Sequence, residues 1–215
     1  MTMRIMTDAG MGITPYTKLV LPVSTKRDHC LGPDDAPVTL LEYGDYECPY
    51  CGRSYAIIKR IQDYFGDQLR FAFRNFPLTQ VHPHAQHAAE AAEAAGAQGM
   101  FWEMHNMLFE NQDALDDPSL REYALVLELD MERFDTEMMT HVYAQHVRED
   151  FMSGVRSGVN GTPTFYLNGV RYDGPWDGNG LLNTIEEELI AWNGRRRSSS
   201  SSRRRRNTKR RREDR

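Results

Sequence analysis

Two cysteines two residues apart, Cys48 and Cys51 in GDYECPYCGRSY, constrain this chain more than any other feature. They follow VTLLEYGDY, a run rich in β-formers that opens after Ala36-Pro37. Pro49 suits the first turn of a helix, where it has no amide hydrogen to lose. YAIIKRIQDYF then sets Ile57, Ile58, Ile61 and Phe65 on one helical face before Gly66 stops it. The pair therefore sits where a strand hands over to a helix. Unpaired amides and the macrodipole at such a start favour a negative sulfur, and thiolate is the reactive form of cysteine. Because thiolate belongs to the reduced state, stabilising it makes the disulfide a better oxidant, by about 30 mV per 1.4 kcal/mol. Cys48, nearer the helix start and the solvent, is the expected nucleophile. Cys51, one turn further in, is the expected resolving thiol.

The rest of the body alternates in the same way. LRFAFRNF (69–76) alternates apolar and polar residues, as a half-buried strand does, and Pro77 ends it. A helical stretch of about 80 residues follows, opening on a stripe of Ala85, Ala88, Ala89, Ala92 and Ala95. Asp117-Pro118 reads as an N-cap and first helical residue within it. TPTFYLNGVRYDG reads as a hairpin turning on Asn168-Gly169, and GNGLLNTIEEELIAW (178–192) as a closing helix. The order is strand, helix, strand, helical block, two hairpin strands, helix.

Composition sets the outer bounds. The formal net charge of −5 hides a split: residues 195–215 hold 12 basic and 2 acidic side chains, against 14 and 29 in residues 1–194. That Arg/Ser-rich tail has nothing apolar to bury, so it reads as a disordered appendage capable of weak, nonspecific contacts with anionic surfaces. It has no aromatic residue to stack on bases, which argues against sequence-specific nucleic-acid recognition. Residues 1–28 read as a flexible arm. With no signal peptide or membrane span written in the sequence, and only three cysteines, the expected setting is cytoplasmic. Half a zinc site is the bland alternative for the cysteine pair. His82, His84 and His87 in VHPHAQH begin the helical block, and nothing local brings them to Cys48. They read as helix-start histidines on a solvated face.

CPYC between strand and helix, with GTPTF about 110 residues later, resembles the thioredoxin superfamily. The wider stretches DHCLGPDDAPVTLLEYGDYECPYCGRSY, HPHAQHAAEAAEAAGAQGMFWEMHNMLFENQ and VREDFMSGVRSGVNGTPTFYLNGVRYDGPW are similar to cytoplasmic DsbA-like thiol:disulfide oxidoreductases, a type also found fused to sodium/proton antiporters. The likeness runs from about Asp28 to Trp192. It implies an α/β thioredoxin fold with a helical domain inserted between the second and third strands. The corresponding division is 29–81 for the first part of the fold, 82–158 for the insertion and 159–194 for the second part. It also implies a cis Thr162-Pro163 bond facing the cysteines, with Pro49, Tyr50, Thr162 and Pro163 contacting client proteins or peptides. Glu42 matches the position where the superfamily often keeps a buried acid beneath the disulfide, able to move protons to and from Cys51. Alternation leaves the face of Glu42 open, because Leu40, Leu41 and Tyr43 flank it.

No cofactor is implied beyond the Cys48–Cys51 couple, with a thioredoxin- or glutathione-type reductant. CPYC also resembles the glutaredoxin motif, so a glutathione-dependent reductase is one rival; a non-catalytic redox-switch module is another. Cys30 departs from the family, which usually has an aliphatic residue before LGP. It reads as a small buried hydrophobe, with a third redox thiol as the alternative. The direction of electron flow stays open. Pro49-Tyr50 lacks a basic side chain to stabilise the thiolate, which points to an intermediate potential.

Overall fold

The computed structural model describes the backbone of residues 18–213 and the side chains of residues 18–196. Five strands, β1 (His29–Leu31), β2 (Val38–Gly44), β3 (Leu69–Asn75), β4 (Thr164–Leu167) and β5 (Val170–Tyr172), form one sheet in the order β1-β3-β2-β4-β5. β2 and β3 run parallel, with Glu42 beside Phe73, and the remaining pairs are antiparallel. Helix α1 (Pro49–Phe65) joins β2 to β3, as a parallel pair requires. Five helices, α2 (Ala85–Gly96), α3 (Phe101–Glu110), α4 (Asp117–Val126), α5 (Met131–Met139) and α6 (Ala144–Ser157), stand between β3 and β4. A final helix, α7 (Gly180–Glu213), closes the chain order. This is the expected α/β fold with an inserted helical domain. The short β1 is an addition that three residues could not announce.

Each face of the sheet has its own core. Val38, Leu40, Phe71, Phe73, Phe165 and Leu167 pack against α1, the insertion and Leu181, Ile185 and Leu189 of α7. On the other face Leu41, Tyr43, Ala72 and Tyr166 meet Val159, Phe76, Phe151, Leu19 and Val23. β3 is thus buried along its whole length, not half-buried. Its polar alternation misleads because Arg70 and Arg74 point into the second face, where other groups satisfy Arg74. Arg74 Nε and Nη2 donate to the Asp28 carboxylate at 2.8 and 3.0 Å, and Nη1 donates to Tyr43 Oη at 2.9 Å. The Leu21 and Pro22 carbonyls accept from the same guanidinium.

That network also corrects the reading of residues 1–28 as a loose arm. Residues 1–17 lie outside the described residues, but 18–28 lie against the body. Leu19 N–H donates to Gly169 O, Val20 N–H to Ser157 Oγ, and Arg27 reaches Asp150. The tail, 195–215, read as a disordered appendage, begins inside the last helix. α7 continues through the Arg/Ser segment to Glu213, since an existing helix gains one hydrogen bond per added residue and arginine is a good helix former.

Smaller boundaries shift for local reasons. Asp116, not Asp117, caps α4 by accepting from Ser119 N–H at 2.9 Å. The amphipathic run after Asp130 breaks into α5 and α6 at His141, whose φ is 52°. The hairpin turns as expected, with positive φ at both Asn168 (51°) and Gly169 (77°).

Candidate active site

Cys48 is the N-cap residue of α1, in extended backbone, and Pro49 is the first helical residue. Both cysteines are free thiols and both are buried, Cys48 at 4% exposure and Cys51 at 0%. Cys48 is the more accessible of the two, though far less open than a helix-start position suggests. Its neighbours Pro49 and Tyr50 are exposed, and the Arg53 guanidinium lies 4.5 Å from the Tyr50 ring centroid.

The electrostatics separate the two sulfurs. A hydrogen bond from the Cys51 thiol does most to pull the Cys48 thiol down from 9.0 to about 5, against the effect of burial. Thr162 and the Tyr50 and Cys51 amides add to the lowering. As a thiol, Cys48 faces the Thr162 carbonyl at 3.5 Å. The buried Thr162 hydroxyl has no other hydrogen-bond partner, and it donates to the sulfur once that ionises. Burial, that same bond to Cys48, and the Glu42 charge push Cys51 well above the ordinary range. The Asp45 N–H approaches Cys51 Sγ at 3.5 Å. The Thr162-Pro163 peptide bond is cis.

Glu42 takes the α1 face of β2, at 2% exposure. Burial raises its carboxyl from 4.5 to about 8, with Ser54 opposing and the Cys48 charge reinforcing. Ser54 Oγ lies 3.0 Å from Glu42 Oε1 and 2.9 Å from the Cys51 carbonyl. Glu42 holds a proton beneath the cysteines at neutral pH.

A stability test follows from that proton. An exposed glutamate ionises near 4.5, while folded Glu42 keeps its proton to about pH 8. Between those values the folded state binds more protons than the unfolded one, so this group's contribution falls as pH rises. Glu42→Gln is expected to match wild type near pH 4 and to become more stable from pH 5 to 8, by roughly 3–5 kcal/mol at the top. Urea unfolding of both proteins across that range checks it; parallel pH curves would contradict it.

The histidine segment, expected to stand apart, is brought to the cysteine loop. His82 Nδ1 lies 2.7 Å from Asp45 Oδ2, and His84 Nδ1 2.9 Å from Glu47 Oε1. His87 pairs instead with Asp117. The carboxylates of the strand–helix loop collect them, a long-range pairing that local pattern does not encode. Cys30 is half-buried on β1, with Arg70 Nη2 donating toward its sulfur at 3.4 Å. Away from the cysteines, Glu93, His146 and Asp150 bring one possible ligand atom each within 4.8 Å of one another. Asn75, His29 and Arg27 already bond the two carboxylates.

Comparison with known proteins meets this geometry. A family model described as thioredoxin matches residues 24–187. The chain aligns with oxidised BdbD from Bacillus subtilis at 30% identity and a TM-score of 0.69, over 78% of this chain and 95% of that one. It shares the fold of α-DsbA1 from Wolbachia pipientis, with a TM-score of 0.69 at 19% identity over 82% of this chain and 97% of that one. The chain is a DsbA-like member of the thioredoxin superfamily. Curated relatives include the Na(+)/H(+) antiporter NhaA 1 of Mycobacterium sp. (strain KMS), 44% identical over 170 residues. The match covers 78% of this chain and 28% of that protein. NhaA 3 of Salinispora tropica is 46% identical, over 74% of this chain and 24% of its own length. The DsbA-like chain thus spans about a quarter of the length of these relatives. Among its described residues, no helix is long and apolar enough to cross a membrane.

Proposed function

We propose that the protein exchanges disulfides with cysteine-containing client proteins or peptides through Cys48 and Cys51. The observation that carries this is the opposed pair of sulfurs: a thiol at a helix N-cap held near pH 5, backed by a second held high. In the accepting direction, a client thiolate attacks Cys48 Sγ of the disulfide and Cys51 departs. Glu42 supplies the proton that the leaving Cys51 sulfur takes. The second client thiol, as thiolate, then attacks the client sulfur of the mixed disulfide, and Cys48 leaves as a stable thiolate. Two electrons pass from the client dithiol to the Cys48–Cys51 pair. Thr162, whose carbonyl lies 3.5 Å from Cys48 Sγ, supports main-chain pairing with an extended client segment beside exposed Pro49 and Tyr50 and next to Pro163.

The low Cys48 value favours the reduced pair, which supports reading the couple as lying on the oxidising side of the intermediate potential read from Pro49-Tyr50. Equilibration with glutathione tests this. Millimolar reduced glutathione is expected to convert the disulfide fully to dithiol, and a pair that remains oxidised there would reverse the assignment. A cytoplasmic setting with a glutathione- or thioredoxin-type partner belongs to the same proposal, since such a pool returns the pair to either state. No further cofactor is invoked.

For the basic C-terminal segment we propose weak, salt-screened contacts with anionic surfaces. Removing 197–215 is expected to leave disulfide exchange and the melting midpoint unchanged, because Leu181, Ile185 and Leu189 seat α7 upstream. Retention on a heparin column should drop. A melting point several degrees lower at low salt would show instead that the segment docks on the body.

A further inference from the structure

Besides the histidine–carboxylate pairs, the inserted domain reaches the backbone of the cysteine loop. Gln112, in the turn after α3, donates from Nε2 to the Tyr46 carbonyl at 2.7 Å and to the Cys48 carbonyl at 2.9 Å. Both carbonyls belong to the loop that carries Cys48 from β2 into α1. The Cys48 carbonyl also accepts the first α1 bond, from Gly52 N–H at 3.1 Å. One amide nitrogen therefore spans the loop on either side of Glu47.

The fit continues at Gly52. A Cβ placed on Gly52 would lie 2.0 Å from Gln112 Oε1 and 2.7 Å from its Cδ. Glycine at this helical position costs helix stability relative to alanine, yet it leaves the room that the Gln112 amide occupies. Two separate features, a double donation and a bare α-carbon, thus point at the same side chain.

We propose that Gln112 is a positioning residue for the thiol chemistry: it clamps the Cys48 loop so that the sulfur stays within reach of Cys51 and Thr162. Gln112 does not touch the reacting atoms. It acts through the backbone, by fixing the Tyr46 and Cys48 carbonyls and hence the direction of the Cys48 side chain. Loosening the loop lengthens the contacts that hold the Cys48 sulfur ionised. This deepens the thiol-exchange reading above, and it also makes the insertion part of the redox centre: a movement of the α3–α4 turn shifts Cys48.

The test reads the Cys48 thiolate directly, by its ultraviolet absorbance against pH in the reduced protein, so it does not depend on any client being turned over. Gln112→Met removes the donor at similar size. Gly52→Ala leaves Gln112 intact but drives it off the loop. Each is expected to raise the thiolate midpoint by at least one pH unit, a tenfold loss of thiolate preference. Each is also expected to shift the equilibrium with glutathione tenfold toward the disulfide, about 30 mV. The Gly52→Ala/Gln112→Met double variant should be no worse than either single one, because both remove the same clamp. An unchanged midpoint in folded Gln112→Met, or additive effects in the double variant, overturns the proposal. Should Gln112→Met fail to fold, an unchanged midpoint in Gly52→Ala overturns it alone. If wild type shows a low, Gln112-dependent midpoint but exchanges no disulfide, the exchange reading fails and the clamp stands.

Discussion

Replacing Cys48 with serine is expected to abolish disulfide exchange, lowering insulin reduction by at least a thousandfold, to the uncatalysed rate. Replacing Cys51 instead is expected to leave attack intact and strand clients as mixed disulfides on Cys48, visible as adducts on non-reducing gels. The asymmetry comes from position and charge. Cys48 caps α1 and is ionised near neutrality, whereas Cys51 is enclosed and keeps its proton. A serine at 48 leaves only a thiol with a negligible thiolate fraction and no path to a client. A serine at 51 removes the group that resolves the intermediate. Equal activity of the two variants would contradict the assignment. Full glutathione-coupled turnover by Cys51→Ser would favour the glutaredoxin-like mechanism, which needs one thiol. A wild-type protein that exchanges no model disulfide would leave the redox-switch reading.

The second large effect is on stability. Arg74→Met is expected to destabilise the fold by roughly 3–5 kcal/mol, because it strands the Asp28 carboxylate without its main partner. Both side chains of that pair are fully enclosed. Burial opposes each charge, and their hydrogen bonds outweigh it, so the Asp28 carboxyl ends below its ordinary range. Arg74 also fastens the Leu21 and Pro22 carbonyls, so residues 18–28 should loosen along with the core. Arg74→Met/Asp28→Leu should recover most of the loss, since no charge is then left buried alone. Urea unfolding of the three variants measures it. A single-variant loss below about 1 kcal/mol, the range of an exposed pair, would contradict the argument.

How much of this was legible in the chain itself depended on how local the determining forces are. CPYC, Pro49 and Asn168-Gly169 act through the backbone within a few residues, and each took the structure its chemistry requires. Glu42 was ambiguous by alternation because β2 is buried on both faces, which erases the polar side of the pattern. β3 failed for the opposite reason. Arg70 and Arg74 mimic a solvent face, but Asp28, Tyr43 and two backbone carbonyls replace water around Arg74. Those partners sit 31 to 53 residues away in sequence. The histidines His82 and His84 were likewise placed by carboxylates 37 residues upstream. Gln112 gave no periodic signal at all. A lone glutamine in a turn shows its purpose only beside the loop it clamps.

The seating of residues 18–28 has one more consequence, for attachment. Lys18 bridges Val170, and Leu19 bonds Gly169, at the hairpin turn where Asn168 meets Thr39. Thr39 is the second residue of β2, while Cys48 lies beyond the strand's other end. Helix α7 passes the same turn, where Asn168 donates to Glu188. Lys18 and the Glu188 turn of α7 therefore both lie at the pole of the domain opposite the thiols. Anchored there, the domain would present its cysteines outward, and a client could reach them without passing the tether.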